Sequence, residues 1–505
     1  MSTTLGRYRL SILSLSFGIA SSLAARLPVR DGFSSCLTGD GLDVLTASSP
    51  DWDTAITPFN LRLEGDFIPS AMVYPTSAAE VSAAVTCASQ YGLKVSPISG
   101  GHSYSASGFG EANGTLVIST ANLTSVSVDN TTGLAYVQPG IRLGQMALDI
   151  YNQAGRALAH GTCPQVGAGG HTSFGGYGFG SRKWGLMLDQ VVQAEAVLAN
   201  GTIVNASATE NSDLFWALRG AAPSFAIVTQ WTYQTHEAPA NVVGFTYEYD
   251  TTSADEFSDV LTAYTSWAVS SAPEEIGLEA NIRNLTISVT GMYEGSESDY
   301  NTVVAPLLAA MGTPTNTTVN SYGWIEALDW VGGVDSIATD GVPDTHDTFF
   351  VKSMITPLSS PLTADTYTTW GQYLLDTQNL SSSLAWFMQV ELYGGANSAI
   401  NSPATDATPF PFRDSLFTIQ LYASSANSEP PYPYADGYSF LEGVVDLIEN
   451  SLPGADFGAY ANYIDPTLED WQDKYYKGNY DRLLALQAEY DPQDTYLKHQ
   501  NVGSE

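Results

Sequence analysis

Short apolar runs typical of β-strands alternate with helical stretches and glycine-rich turns between about residues 54 and 240. The strand-like runs are residues 72–74, 93–98, 115–119 and 135–138. A helix is predicted after Thr76, which can cap its first turn, with Glu80 near its start and Tyr91-Gly92 at its end. The pattern predicts a mixed α/β unit over residues 25–240.

The pattern changes between about residues 241 and 455, where polar and apolar positions alternate along longer strands. These strands are residues 244–249, 285–292, 384–392 and 416–422, with a helix predicted over 253–268. Such alternation predicts a second α+β unit with a large antiparallel sheet flanked by helices. Residues 456–505 are rich in tyrosine and aspartate and contain no new strand set, so we expect them to return to the first unit.

Composition limits the partners of this 505-residue chain. It carries 53 acidic and 18 basic residues, a formal charge of -35. Such a charge repels nucleic acid and anionic membrane surfaces, so neither is expected as a partner. A monomer is expected.

The N-terminus resembles a secretory signal. Arg7 and Arg9 precede an apolar run over residues 10–23, and Ser22 and Ala24 are the small residues that a signal peptidase needs. We therefore predict a signal peptide over residues 1–24 and an extracellular protein. The alternative is a membrane anchor, but the run is shorter than the ~20 apolar residues of a spanning helix.

Two further features fit secretion. Eight N-x-Ser/Thr sequons predict a glycoprotein, at Asn113, Asn122, Asn130, Asn200, Asn205, Asn284, Asn316 and Asn379. Of three cysteines, Cys36 and Cys87 are the expected disulfide, which leaves Cys163 as an odd thiol that needs an explanation. No metal site is predicted.

The first chemical motif is Ser99-Gly100-Gly101-His102-Ser103-Tyr104, directly after a strand-like run. Consecutive glycines allow backbone amides to point into one concavity, which suits a pyrophosphate. The alternative is an ordinary tight turn with a surface histidine.

The second motif spans residues 161–180 and is too rich in glycine for regular structure, in which each glycine costs about 1 kcal/mol. It indicates a large flat ligand against the backbone. A flexible linker is the alternative, but Cys163, Pro164, Val166 and Phe174 are bulky or reactive side chains.

These motifs support a family resemblance, together with Trp216-Ala-Leu-Arg219-Gly220, Phe225-Ala-Ile227-Val228-Thr229, Tyr460-Ala-Asn462-Tyr463-Ile-Asp465 and Tyr476-Lys-Gly478-Asn479. The chain resembles the berberine bridge enzyme family, which has a vanillyl-alcohol-oxidase-type (PCMH-type) FAD-binding domain. The resemblance covers nearly the whole chain. Residues 220–226 depart from it, because alanines stand where the family usually has glycines.

The resemblance implies an FAD attached through two side chains, His102 to the 8α-methyl carbon and Cys163 to flavin C6. It places residues 25–240 as the FAD-binding domain, 241–455 as the substrate domain and 456–505 as the returning segment. The other cofactor-binding residues that we predict are Ser99, Gly100, Gly101, Ser103, Tyr104, Val166, Gly167, Gly170, His171, Gly175, Gly176, Gly178, Ile227 and Asn479.

Residues 384–392 place Phe387, Gln389 and Glu391 on one face of a strand, an arrangement that suits a polyhydroxylated ligand. A solvent-facing polar strand is the alternative. The strand is similar to that of fungal glucooligosaccharide and chitooligosaccharide oxidases. That likeness implies that Tyr463 is the catalytic base and that Glu391 supports it.

The implied reaction is oxidation of the anomeric C1 hydroxyl of a reducing oligosaccharide to a lactone, with O2 reduced to H2O2. The predicted substrate contacts are Tyr104, Gln389, Gln420, Glu279 and Phe387, with Trp324 as another candidate apolar face. Val166 is the residue where the resemblance implies access for dioxygen, although it is equally well described as a packing residue. Two alternatives stay open: oxidation of an aromatic or alkaloid-like metabolite, and a catalytically lapsed secreted glycoprotein.

Overall fold

The computed structural model describes residues 32–496 and 498–504, apart from the side chains of Ser381 and Ser382. The predicted signal peptide lies outside these residues. No helix in the described part of the chain combines the length and apolar character needed to cross a membrane.

The first unit is built on two sheets and a short ribbon. Its strands are β1 (Val44–Leu45), β2 (Ala71–Val73), β3 (Val95–Ile98), β4 (Leu116–Ser119), β5 (Val126–Asp129), β6 (Leu134–Val137), β7 (Arg156–Ala157), β8 (Val191–Leu198), β9 (Ile203–Ser207), β10 (Ala226–Gln234) and β11 (His236–Glu237). One sheet has the order β1-β2-β4-β3, with β2, β4 and β3 parallel, and the other has the order β5-β6-β10-β8-β9 and is antiparallel. Strands β7 and β11 form the ribbon.

Seven helices accompany these strands: α1 (Phe33–Gly39), α2 (Trp52–Ala55), α3 (Ala78–Gln90), α4 (Leu143–Ala154), α5 (Ala168–Phe174), α6 (Ser181–Trp184) and α7 (Ser212–Ala221). The prediction that Thr76 caps α3 is wrong by one residue, because the cap is Ser77, whose hydroxyl accepts from the Glu80 amide. Thr76 instead donates to the Glu80 carboxylate.

The predicted disulfide is confirmed. Cys36 of α1 and Cys87 of α3 are bonded, with their Cα atoms 6.0 Å apart. Cys163 is left as a free thiol.

The second unit is a seven-stranded antiparallel sheet with helices packed against it. Its strands are β12 (Val242–Asp250), β13 (Ile276–Arg283), β14 (Thr286–Glu294), β15 (Asn316–Tyr322), β16 (Phe349–Pro357), β17 (Leu384–Leu392) and β18 (Ser415–Ser425), in the order β15-β12-β14-β13-β17-β18-β16. The helices are α8 (Ala254–Ser270), α9 (Glu297–Met311), α10 (Trp324–Val331), α11 (Ala364–Asp376) and α12 (Tyr434–Ser451). The described elements match the predicted α+β class, in which a mixed α/β unit lies beside a large antiparallel sheet flanked by helices.

The C-terminal segment packs into the core of the first unit. It contains α13 (Trp471–Tyr476) and α14 (Tyr480–Tyr490). Trp471, Leu483 and Val502 are buried in one apolar cluster with Trp231 of β10. This return brings the residues around Tyr463, which precede α13, to the junction of the two units.

A buried arginine ties the first unit to the second. The Arg182 side chain on α6 is fully buried and donates to backbone carbonyls of Ala272, Pro273, Ile276, Gly394 and Ala396. Because buried carbonyls need hydrogen-bond partners, this one side chain satisfies several acceptors at the junction of the two units.

Candidate active site

A cavity of about 340 Å³ lies where the two units and the C-terminal segment meet. It is lined by the two glycine motifs, by β13, β17 and β18 of the large sheet, and by the segment around Tyr463. The size and the mixture of apolar walls with a few polar groups are typical of a small-molecule or cofactor site.

The two glycine motifs touch through their backbones at one side of the cavity. A Cβ on Gly100 would lie 2.3 Å from the amide nitrogen of Gly167, and one on Gly167 would lie 2.2 Å from the amide nitrogen of Gly100. Gly101 has φ of +76°, a conformation that favours glycine. The motifs therefore form one continuous surface rather than two independent loops.

His102 is held in place from two directions. Its ring stacks on Phe59, with centroids 4.2 Å apart. Its Nε2 lies 2.7 Å from Oδ2 of Asp344, which is also 3.5 Å from Nη1 of Arg142. An ionised carboxylate can only accept, so Nε2 carries the proton and the Nδ1 lone pair is left for another bond.

Cys163 is a free thiol on the cavity wall and remains exposed. Partial desolvation by the surrounding protein raises its pKa. It lies on the same wall as Val166 and Gly170. The cavity thus has His102 and Cys163 at its surface, as the sequence predicts for a doubly attached ligand.

The predicted catalytic pair is in contact. Tyr463, in the 3-10 turn Ala461–Tyr463, donates its hydroxyl to Oε1 of Glu391 on β17 at 2.9 Å. Burial and then the Glu391 charge raise the pKa of Tyr463, so the phenol is protonated and donates this hydrogen bond. Oε2 of Glu391 is buried and has no protein partner among the described residues.

A second carboxylate lies beside Glu391. Glu279 of β13 is its cross-strand partner, and both side chains line the cavity. Burial and then the Glu279 charge raise the pKa of Glu391 well above its ordinary value. Glu391 is therefore a stronger proton acceptor than an exposed carboxylate.

Side-chain amides donate hydrogen bonds to the other polar groups on this wall. Gln389 donates to Oε1 of Glu279 at 2.9 Å, and Asn281 donates to the same oxygen at 2.8 Å. Gln420 of β18 donates to the Tyr104 hydroxyl at 2.9 Å. The wall therefore presents amides, carboxylates and phenols close together, as recognition of several hydroxyl groups requires.

The segment that carries Tyr463 is fixed at both ends. Asn462 donates to the carbonyl of His171 at 3.0 Å. Two residues after Tyr463, the Asp465 carboxylate accepts from the buried Lys352 ammonium at 2.8 Å. These contacts hold the phenol against Glu391.

His171 is a neutral histidine in the cavity wall. Its Nε2 accepts from the amide of Gly161 at 2.9 Å, so the proton is on Nδ1. Burial, and then the neighbouring His160, lowers its pKa to about 3. His171 is therefore a neutral hydrogen-bond donor across the ordinary pH range.

Most of the predicted site residues line the cavity. They are Ser99, Gly100, Gly101, His102, Ser103, Tyr104, Cys163, Val166, Gly167, Gly170, His171, Gly178, Glu279, Gln389, Glu391, Gln420 and Tyr463.

The other predicted residues lie around the cavity rather than on its wall. Beside Gly175, the Gly176 amide donates to the Tyr460 hydroxyl at 2.8 Å. Phe387 stacks on the cavity residue Tyr422 with centroids 4.7 Å apart. Ile227 is buried in an apolar cluster with residues of β2 and β4. The Asn479 amide donates to the carbonyls of Thr405 and Thr408.

Trp324 is buried in an apolar cluster with Phe179 and Val242 and does not line the cavity, so it is a core residue.

The sequence reasoning missed several residues of this region. Asp344 and Asn281 touch predicted site residues, and Lys498 reaches the cavity wall, where its ammonium donates to the Ser107 carbonyl at 3.1 Å. Nothing in the local sequence around Asp344 or Lys498 singles them out. Asn281 alone had a signal, since it alternates with Glu279 along one strand.

The cavity fits an FAD. A Cβ built on Gly170, which lines the cavity, meets no protein atom within 4 Å, so the space beside this glycine is open to a ligand. His102 and Cys163 are on the same cavity surface, with a free Nδ1 and a free thiol. Amides of the Ser99–Tyr104 loop are available for phosphate oxygens.

Comparisons with known proteins agree with this geometry. A family model described as FAD binding domain matches residues 69–207, and one described as berberine and berberine like matches residues 459–503. The xylooligosaccharide oxidase of Thermothelomyces thermophilus is 36% identical over 490 residues, which are 96% of this chain and 97% of the relative. The chain belongs to the berberine bridge enzyme-like family. It is an FAD-binding oxidoreductase.

Solved structures of berberine bridge enzyme-like proteins superpose closely on this one. A chitooligosaccharide oxidase matches with a TM-score of 0.88 and 34% identity, over 94% of this chain and all of the other. A glucooligosaccharide oxidase from Acremonium strictum, described with 6-S-cysteinyl, 8α-N1-histidyl FAD, matches with a TM-score of 0.87 and 33% identity, over 94% of this chain and 99% of the other.

Proposed function

We propose that this FAD enzyme is an extracellular oxidase of reducing oligosaccharides that converts the anomeric C1 hydroxyl to a lactone and reduces O2 to H2O2. The observation that carries the proposal is the 2.9 Å hydrogen bond from Tyr463 to Glu391 inside the cavity that also holds His102 and Cys163. A tyrosine that can pass its proton to a carboxylate is able to take a proton from a substrate hydroxyl group. The oligosaccharide oxidases among the relatives support the choice of substrate.

In the proposed reaction Tyr463 takes the proton of the anomeric hydroxyl while passing its own proton to Glu391. The phenol is protonated near neutral pH because its ordinary pKa is about 10, so it can take the substrate proton only if it gives up its own. Glu391, whose pKa is raised, accepts that proton. A bound FAD would supply the acceptor for the C1 hydride and the route by which the electrons reach dioxygen, and His102 and Cys163 are the residues that would hold it.

Gln389, Gln420 and Tyr104 would hold the sugar by hydrogen bonds from the large-sheet side of the cavity. Tyr422, which lines the cavity and stacks on Phe387 behind it, would offer an apolar face beside them. The unpartnered Oε2 of Glu391 can accept a further ring hydroxyl. The protein thereby fixes C1 relative to Tyr463, and such positioning is a large part of catalysis.

We also propose that the FAD is attached through both His102 and Cys163. The Asp344 contact at Nε2 leaves Nδ1 free, and Nδ1 is the nitrogen named N1 in the glucooligosaccharide oxidase description. Two bonds would prevent loss of the cofactor outside the cell. The disulfide supports an oxidising compartment, in line with the predicted signal peptide.

The experiment is peroxide release with a panel of reducing oligosaccharides, each paired with its alditol, in which C1 is a primary alcohol and there is no anomeric hydroxyl. Wild-type protein should release peroxide with reducing sugars and not with alditols. Tyr463→Phe should lose about two orders of magnitude or more in kcat and keep its flavin. Tyr367→Phe is the control, because that buried tyrosine donates to or accepts from Thr265 within the helices of the second unit. Turnover of aromatic alcohols without sugar turnover would contradict the proposal.

A further inference from the structure

The contact between His102 and Asp344 takes no part in the proposed oxidation of the sugar. They are 242 positions apart in sequence, yet Nε2 and Oδ2 are 2.7 Å apart. Both side chains are largely enclosed, with 10% of His102 and 22% of Asp344 exposed. A short hydrogen bond between a histidine and a carboxylate fixes the histidine tautomer and ring orientation.

Asp344 is itself anchored. Arg142 donates to the carbonyl of Gly100 at 2.6 Å and also to that of Gln165, and its guanidinium lies 3.5 Å from Asp344. Arg142 thereby joins both glycine motifs to the Asp344 carboxylate. Burial by itself would raise the pKa of Asp344, but the hydrogen bond from His102 and the charges of His102 and Arg142 lower it overall. The carboxylate therefore remains ionised beside the imidazole.

The stack on Phe59 removes the remaining freedom of the ring. The Phe59 stack at 4.2 Å fixes the plane of the ring, and the Asp344 contact favours the orientation in which Nε2 points to the carboxylate. An imidazole that had only a solvent partner would exchange between tautomers, and part of the population would carry its proton on Nδ1.

We propose that Asp344 is the positioning residue for flavin attachment: it holds the His102 proton on Nε2 so that Nδ1 can bond to the flavin 8α carbon. The inference rests on the attachment proposed above. In that step Nδ1 forms a bond to C8α as one C8α–H bond breaks. The imidazole also loses its N–H proton, and the two electrons and two protons pass to the isoalloxazine ring and then to dioxygen, which becomes H2O2. As positive charge develops on the imidazole, the Asp344 carboxylate stabilises it.

The test uses a Cys163→Ala background, in which only His102 can hold the flavin. The fraction of chains with a covalent FAD is followed over time by mass spectrometry of denatured protein after the flavin-free form is mixed with FAD under air. Asp344→Asn should slow attachment by about tenfold or more, and Asp344→Glu should restore part of the rate. The matched control is Asp340→Asn, an exposed aspartate in the same segment that should attach FAD at the parent rate.

A second measurement distinguishes loss of the attachment step from poor folding of the variant. In the chain with both attachment residues, peptide mapping of Asp344→Asn should find flavin on the Cys163 peptide and little on the His102 peptide. Equal rates for Asp344→Asn and its parent, with equal melting temperatures, would overturn the inference. If the Cys163→Ala parent itself attaches no FAD, the proposed His102 bond is wrong, which is a separate failure.

Discussion

Glu279 and Glu391 face each other across neighbouring strands of the large sheet, and both carboxylates are buried in the cavity wall. This pair determines how the rate depends on pH. Glu391 must be ionised to accept a proton from Tyr463, so the rate falls as pH drops below the Glu391 pKa. Burial raises that pKa, and the negative charge of Glu279 raises it further.

Glu279→Gln should therefore lower the Glu391 pKa and shift the acid limb of the kcat profile to lower pH. The measurement is kcat against pH at saturating sugar. Glu274→Gln, an exposed glutamate just before β13, is the control and should leave the limb in place. An unchanged acid limb in Glu279→Gln would show that Glu279 carries no charge that acts on Glu391.

Replacing Glu391 should separate chemistry from cofactor binding. Glu391→Gln keeps the shape and removes the proton acceptor, so we expect kcat to fall by about two to four orders of magnitude with flavin content unchanged. Glu391→Asp should retain more activity than Glu391→Gln, because it keeps a carboxylate. Steady-state kinetics and the flavin-to-protein absorbance ratio provide the readouts, and equal activity of the Gln and Asp variants would contradict this role.

Two glycines of the cavity should respond differently to alanine. In Gly100→Ala the new Cβ would lie 2.3 Å from the Gly167 backbone, which cannot move away freely, so we expect a lower melting temperature and little bound flavin. In Gly170→Ala the Cβ meets no protein atom, so the melting temperature of the flavin-free protein should be unchanged while FAD binding weakens. Gly39→Ala, also with open space around it, is the control for both. Normal flavin content in Gly170→Ala would contradict binding of the flavin ring beside Gly170.

Arg182 should be a strong determinant of stability. Arg182→Met leaves several buried carbonyls without donors, and each unpaired buried group costs about 1–3 kcal/mol, so the loss should be about 3 kcal/mol or more in the free energy of unfolding. Arg482→Met removes an exposed pair with Asp213 and should cost less than about 1 kcal/mol. Denaturant unfolding of the two variants measures both, and similar losses would contradict the assigned importance of Arg182.

The strands with clear alternation could be predicted from sequence. Residues 384–392 are predicted as a strand, and the structure has Leu384–Leu392. Strand β13 is not among the strands predicted from sequence, although Glu279, which lies on it, is a predicted substrate contact. Its sequence does alternate, with Ile276, Leu278, Ala280 and Ile282 on one face, so the local pattern indicates a strand, and only its position between β14 and β17 depends on the fold.

The residues that line the cavity could be predicted where local sequence controls them, as in the glycine motifs around His102 and Cys163. Asp344 could not, because its contact with His102 depends on how the segment before β16 returns to the first unit. The same holds for Lys352, which meets Asp465 only after the C-terminal segment has packed. Contacts between residues that are distant in sequence are set by the fold and not by local pattern.

The most direct test of the account is anaerobic mixing of the purified protein with a reducing oligosaccharide while the flavin absorbance is recorded. The account predicts a yellow protein that is bleached by the sugar, is unaffected by the corresponding alditol and recovers its colour with H2O2 release when air is admitted. A protein without flavin, or a yellow protein that no reducing oligosaccharide bleaches, would contradict it.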